Sequence, residues 1–372
     1  MAGPGKTCAI IGAGLTGATA AWHLTGRGWR VTVYEALPHV GGQLKGEHIG
    51  GIPYEPHGPH IFHTSSTEAW KLVSGHCDLN SYQHRVITVA GPAAKHVRYQ
   101  LTWPLQRAEL ETLPEWPRIR AELDALPDEP SRASFEASAT GIMGRTLYEW
   151  CCYGYTVKQW GCEPSLLSAS FAPKRLGLRN DGDRRMFRDP YQGWGEGGWH
   201  TLVENLLARA DVELGCKVSL NSLPPADAYV ITAPLDEFLE ADPLPWRGVR
   251  TEFTRSGYWT GDRLPAAVVT YPGLEVPFTR MVETRQMSRV VTGSGTVTGR
   301  EYPGAPVRHY PVDDVAGENR ARHRDLVKQV RKEVPNAVLA GRLATYAYID
   351  MDQAVMQGLN AARKIVSGSG RR

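Results

Sequence analysis

No apolar run in this chain of 372 residues reaches the ~18 residues that would suggest a membrane span. The opening residues MAGPGKT have no apolar core of a secretory leader, and a strand pattern begins at once. No C-x-x-C occurs among the six cysteines, Cys8, Cys77, Cys151, Cys152, Cys162 and Cys216. Cys8 lies in a buried-strand pattern, and Cys151 and Cys152 are adjacent. Reduced thiols, no metal site and a cytoplasmic location are therefore expected. An excess of one charge is also missing: 42 Lys and Arg stand against 39 Asp and Glu, a net +3. This excludes an extended surface for nucleic acid or an anionic membrane, and any basic site must be local. There is no internal repeat and no low-complexity tract. What remains is ordinary for a globular protein, 42% hydrophobic and 22% charged residues, with length enough for two or three domains. Eleven Trp is high, and several recur mid-chain beside Gly and Arg, where a binding cleft could use them.

The stretch Cys8–Glu35 organises the rest. CAII is a short apolar run of the kind that forms a buried parallel strand. Gly12, Gly14 and Gly17 follow at the spacing G-x-G-x-x-G, then Leu15, Ala18 and Trp22 at helical spacing, then RVTVYE, a second strand ending in an acid. Gly12 allows the tight turn, Gly14 lets the backbone approach a pyrophosphate, and Gly17 lets helix and strand pack closely. The helix N-terminus offers N–H groups to phosphates. Glu35 stands where a carboxylate accepts hydrogen bonds from a ribose diol. Strand, helix and acid together make this a dinucleotide site. A second such fingerprint, for a tightly held NAD(P)H, is absent from the sequence.

Further along, Gly41 and Gly42 form a second glycine turn, and YEPHGPHIFHT (54–64) is too rigid and polar for a regular strand. Residues 65–74 read as a helix. RVITVAG and HVRYQLTWPL read as a hairpin. From residue 105 to about 168 the pattern is helical and punctuated by Pro, and 168–198 is irregular and rich in Arg, Gly and Asp, the mark of a functional or mobile segment. A helix over 201–210 follows, then β pattern in VELGCKVSLN and a buried strand in AYVITAP. Residues 249–312 alternate as an antiparallel sheet, 319–334 form a charged amphipathic helix, and strand, turn and helix close the chain. The fold class expected is α/β: a Rossmann-type domain with a helical insert and a twisted antiparallel sheet. The expected domains are 1–75, 200–242 and 335–372 for the dinucleotide; 105–199 as a helical substrate domain with a lid at about 166–180; and 78–104 with 243–334 as the sheet.

GPHIFHT (58–64), GYTVKQW (154–160), KRLGLR (174–179), VPFTRMVE (276–283), YPV (310–312) and GRLATYAYIDMD (341–352) together resemble the UDP-galactopyranose mutase family. The resemblance is ordered along nearly the whole chain. It implies a glutathione-reductase-like FAD domain and a flavin-dependent isomerase acting on a nucleotide sugar, UDP-galactose first, with no net redox change. Ring contraction must exchange the C1–O5 bond for C1–O4, and the family solves this through a covalent adduct between reduced flavin N5 and sugar C1. FAD is the implied cofactor, active when reduced, with NAD(P)H as a candidate transient reductant. The implied partner is the nucleotide-sugar substrate alone; a homodimer is left open.

The resemblance also assigns residues. Arg175 and Arg280 match the arginines that grip the diphosphate, suited to it by permanent charge and paired N–H groups. Tyr155 and Trp160 match aromatics near the nucleotide, and Tyr310, Tyr348 and Asp350 match residues around the diphosphate, sugar and flavin. Asp350 can equally cap the helix that follows. Met351 begins that helix, whose dipole favours an anionic flavin, and Arg342 adds positive charge nearby. Val218, Gly41 and Gly42 complete the cofactor set. His60 and His63 lie in the motif placed against the isoalloxazine; acid–base work and the holding of a rigid loop are both open for them. Departures cluster on the nucleotide side. Cys151 stands where the family has an aromatic, Met186 where it has a Tyr, and YQGWGEGGW replaces Y-Q-x-x-P-x-x-G-Y. Gly177 replaces a lid Pro. A relative with another base or a modified hexose fits these changes. Two other readings stand beside it, an amine-oxidase-like FAD oxidoreductase and a flavin-binding protein without turnover.

Overall fold

The computed structural model describes residues 5–92, 97–171, 176–257, 263–289 and 295–368. Its first strand, Thr7–Ile11, is central in a five-stranded parallel sheet. The order is Asp211–Leu214, Arg30–Glu35, Thr7–Ile11, Ala228–Ile231, Ala337–Leu339. Cys8 pairs with Val31 on one side and Ala228 on the other. Both faces of the first strand are covered, which is why CAII is apolar without alternation. The helix Leu15–Thr25 packs against the long helix Met351–Gly368. A Cβ on Gly358 would lie 2.5 Å from Thr16 O and 2.8 Å from Thr19 Cβ, so only glycine allows this approach.

A second sheet has six strands in the order Trp246–Ser256, Thr296–Pro311, Arg280–Glu283, Val268–Thr270, Val86–Ala90, Tyr99–Trp103. It is antiparallel except where Val268–Thr270 runs parallel to Val86–Ala90. That pair joins the hairpin of residues 86–103 to the later strands; alternation within a strand carries no sign of partner direction. Between residues 107 and 160 the chain is mainly helical, with Phe135–Tyr148, kinked at Gly144 (φ 78°), leading through a π-helical turn, Glu149–Tyr153, into Gly154–Trp160. This region has its own core, including Leu105, Ile119, Leu147, Tyr148, Cys151 and Cys152.

Some local expectations shift. The β pattern of VELGCKVSLN yields a strand only over Asp211–Leu214, because Gly215 turns the chain at φ 66°. Val218 instead packs with Ile11, Ile231 and Phe238. Residues 168–198 contain only Leu178–Arg179 and Tyr191–Gly193 as strand among the described residues. All six cysteines are free thiols, as their spacing predicts.

Candidate functional site

The glycine fingerprint builds one wall of the site from main chain. Gly12 has φ 108°, and a Cβ there would meet Thr232 Oγ1 at 2.2 Å. A Cβ on Gly17 would meet Gly12 O at 2.0 Å. Around Gly14 the same construction meets nothing within 4 Å. Gly14 caps the helix without a side-chain bond, so this open side faces no competing capping group. The second glycine turn docks here: Gly41 bridges Gly14, its N–H donating to Ala13 O at 3.0 Å, and Gly42 at φ 55° closes against it. Glu35 is buried, its oxygens accepting from Ala13 N–H (2.8 Å) and Leu37 N–H (2.9 Å). Each oxygen keeps a second lone pair for a ribose hydroxyl. Two glycine requirements with an open third position fit a pyrophosphate cradle.

A second wall is made of side chains from distant segments. Arg280 starts the strand Arg280–Glu283, and the register places it across from Glu301. Its Nε and Nη2 both reach Glu301 Oε2 at 2.7 Å. Glu301 is fully buried, and its Oε1 has no hydrogen-bond partner among the described residues. Burial opposes the charge on Arg280, but Glu301, with Tyr155 and Tyr310 beside it, holds the guanidinium firmly protonated. Gly58 of the GPHIFHT segment lies directly against this pair: a Cβ there would be 3.1 Å from Glu301 Oε1 and 3.4 Å from Arg280 Nη2.

The aromatics converge on the same place. Trp160 meets Tyr310 edge-on at 6.1 Å between ring centroids, and Tyr310 lies 5.4 Å from Tyr348. Arg342 sits over the Tyr348 ring at 4.9 Å. It also donates to Gln43 Oε1 (2.8 Å), His309 O (3.0 Å) and Ile349 O (2.6 Å). Burial pushes the Tyr310 phenol up, so it stays a neutral donor. Asp350 precedes the helix Met351–Gly368, with its carbonyl accepting from Ala354 N–H at 3.0 Å and its N–H donating to Gln353 Oε1 at 3.1 Å. Met351 is buried at the start of that helix.

A histidine pair underlies this wall. Val249 N–H donates to His309 Nδ1 (3.1 Å), so the proton of His309 sits on Nε2 and points to His57 Nδ1, 3.1 Å away. Burial first, and then His57, His60, Arg342 and Arg280, push His309 down to about 3. His57 is lowered by burial and by His60. His60 is fixed through its backbone: its N–H donates to buried Glu55 Oε2 (2.5 Å), and its carbonyl accepts from Trp199 Nε1 (2.7 Å). Its Nδ1 lies 3.6 Å from Glu55 Oε2 with no hydrogen bond of its own. His63 is turned to a different partner, Asp189, at 2.8 Å and stacks on Phe187 at 3.6 Å. Ser65 holds the other Asp189 oxygen at 2.7 Å.

Two residues expected on the substrate side pack with core clusters. Cys151 is buried in the core of the helical region, its thiol pushed up to about 12 by burial. This short side chain, one turn before Tyr155, packs inward. Met186 packs at the margin of the main core, its N–H donating to His84 O at 2.7 Å. Arg175, and with it the middle of the expected lid, lies outside the described residues. Sequence reasoning missed Glu55, Glu301, His57, His309 and Gln43. Only the acid opposite an arginine in sheet register could have pointed to Glu301, and register is invisible in a single strand. Among the described residues no group of His, Cys, Asp and Glu could hold a metal, and no helix is long and apolar enough to cross a membrane.

A glycine-built turn of Rossmann type, joined through Gln43 and Arg342 to a cluster of arginine and phenols, places the chain among Rossmann-type α/β proteins. A Rossmann-like NAD(P)-binding domain model matches residues 10–75. The UDP-galactopyranose mutase family model matches residues 151–348, over half of the chain. The chain belongs to that family and is an isomerase of it. A probable UDP-galactopyranose mutase of Klebsiella pneumoniae is 29% identical over 97% of this chain and 95% of the relative. A dTDP-fucopyranose mutase of Escherichia coli is also 29% identical, over 97% and 98%. A crystal structure of reduced UDP-galactopyranose mutase superposes with TM-score 0.78 at 17% identity, covering 97% of this chain and 96% of that one. A putative protoporphyrinogen oxidase from Exiguobacterium shares the fold at TM-score 0.69 and 14% identity.

Proposed function

We propose that this chain interconverts the pyranose and furanose forms of a nucleoside-diphosphate hexose, with reduced FAD as its cofactor and UDP-galactose as the first candidate substrate. One observation carries the reading: Arg280, kept charged by buried Glu301, stands beside Tyr155 and Tyr310, and Tyr348 and Arg342 connect this cluster to Gln43 at the second glycine turn. Arg280 binds the diphosphate leaving group, joined by Arg175, and Tyr310 and Tyr348 donate to its oxygens as neutral phenols. Tyr155 and Trp160 cover the nucleoside. Gly12, Gly14, Gly17, Glu35, Gly41, Gly42 and Val218 hold the dinucleotide, and Arg342 and Met351 flank the flavin end. When bound, reduced FAD supplies a nucleophilic N5 for covalent displacement at sugar C1. His60 holds its loop through main-chain bonds. NAD(P)H is the candidate transient reductant, with a separate reductase as the alternative.

The nucleobase is the open half of the reading. The two relatives at 29% identity differ in both base and sugar by name, so overall identity does not choose between them. Cys151 in place of an aromatic favours a second reading, a mutase for a different base or a 6-deoxyhexose. The oxidoreductase alternative shares only the fold and lacks the family match over residues 151–348.

The test is anaerobic incubation of dithionite-reduced enzyme with UDP-galactofuranose, UDP-galactopyranose and dTDP-, GDP- and CDP-hexoses. The expected result is conversion only in the reduced state, without loss of reducing equivalents. Absence of isomerisation with flavin-loaded, reduced enzyme across the panel would refute it.

A further inference from the structure

The helix Gly154–Trp160 carries Tyr155 and Trp160, and between them Lys158, whose charge the reaction above does not use. Lys158 Nζ donates to four main-chain carbonyls: Tyr271 (2.6 Å), Gly273 (2.7 Å), Val276 (3.2 Å) and Phe278 (2.8 Å). An ammonium has three N–H groups, so the four acceptors share them. All four belong to one connection, between the paired strands Val268–Thr270 and Arg280–Glu283. Tyr271 N–H closes it onto Thr279 O at 2.9 Å, and the next residue is Arg280.

Two further contacts fasten this helix. A Cβ on Gly154 would lie 2.4 Å from Pro272 O, so the helix starts in backbone contact with the same connection. At its other end Arg247 donates to Gln159 O (3.0 Å) and Lys158 O (3.4 Å). Burial pushes Lys158 down to about 8, with Glu275 pulling the other way. Glu275 is itself bonded to Arg98 at 2.7 Å. A lysine placed for solubility would keep its head in water; this one spends every donor on one turn of a neighbouring sheet.

We propose that Lys158 is a positioning residue that fixes the spacing between the helix bearing Tyr155 and Trp160 and the hairpin that presents Arg280. The inference rests on the reading that these residues hold a nucleoside diphosphate. A ligand gripped at both ends needs that spacing set in advance, otherwise binding must order the two elements. Arginine cannot replace the clamp, because its planar fork does not converge on four carbonyls around one point.

The experiment is calorimetric titration of UDP and dTDP into flavin-loaded wild type, Lys158→Met, Lys158→Arg and Gly154→Ala, alongside KM and kcat. When binding must itself order the released elements, Kd rises, by about tenfold here. Lys158→Met and Lys158→Arg are both expected to show this, with KM rising more than kcat falls and flavin content per chain unchanged. A merely structural lysine would lower melting temperature and leave Kd of the folded protein alone. A folded Lys158→Met protein with wild-type Kd and KM overturns the proposal. Should Lys158→Met fail to fold, Gly154→Ala decides: it keeps the ammonium but pushes the helix off Pro272, and an unchanged Kd overturns the proposal equally. Wild type that binds none of UDP, dTDP, GDP and CDP, the last two titrated in the same way, overturns the nucleoside-diphosphate reading, and this inference with it.

Discussion

The proposed cofactor wall and the proposed substrate wall of this molecule are built in different ways. The first is main chain: three glycines and a helix terminus within a few residues of one another, plus a glycine turn some 25 residues on. The second is side chain, gathered from segments as far apart as Gly58, Tyr155, Arg280, Glu301 and Tyr348. The first tolerates no Cβ where backbone meets backbone, and the second depends on one ion pair and its ring of phenols. The difference implies that cofactor loading and substrate binding respond to separate mutations.

The largest break should come at Arg280. Arg280→Ala leaves Glu301 buried without its cation, at a cost on the order of 3–5 kcal/mol, and removes the group proposed to bind the diphosphate. Steady-state kcat/KM is expected to fall by about 10²-fold or more, with flavin content retained. Arg280→Lys keeps the charge but not the paired geometry, and should recover only part of the loss.

A pair of glycine variants sharpens the other wall. Gly17→Ala places a Cβ 2.0 Å from Gly12 O and is expected to lower melting temperature and flavin content together. Gly14→Ala meets no protein atom, so its melting temperature without cofactor should match wild type while flavin content per chain drops. Equal flavin content in Gly14→Ala and wild type would remove the cradle from that position.

His309 tests the substrate wall through pH. Its folded-state pKa, about 3, lies below the ordinary 6.5, so between those values the unfolded chain binds the extra proton. Stability from this group is full above pH 6.5 and is lost as pH falls, by about 2 kcal/mol between pH 7 and 5. His309→Gln should flatten the decline of melting temperature with acidification over that range. An unaltered slope would mean that another group carries it.

The smallest effect is expected at Asp189→Asn. It weakens the bond to His63 at 2.8 Å at about 1 kcal/mol of stability, with flavin content and KM near wild type.

Legibility in the sequence followed the same division. Gly12, Gly14, Gly17, Glu35, Gly41 and Gly42 were readable because their constraint is local: a turn, a close approach and a helix start leave a spacing in the chain. Arg280, Tyr155, Trp160, Tyr310 and Tyr348 became visible only through family motifs. Glu301 and His309 carried no local mark, since each matters through a cross-strand or cross-domain partner. Cys151 shows the opposite case, a substitution noticed in sequence whose packing into the helical core needed the folded chain.

By itself the sequence determined a dinucleotide fold, because periodicity and glycine spacing are properties of neighbours along the chain. Tertiary structure alone decided which acid neutralises Arg280, which carbonyls capture Lys158 and which tautomer His309 adopts. Each depends on the register of strands brought together by burial of their apolar faces, and register is set by the pairing of two segments rather than by either one.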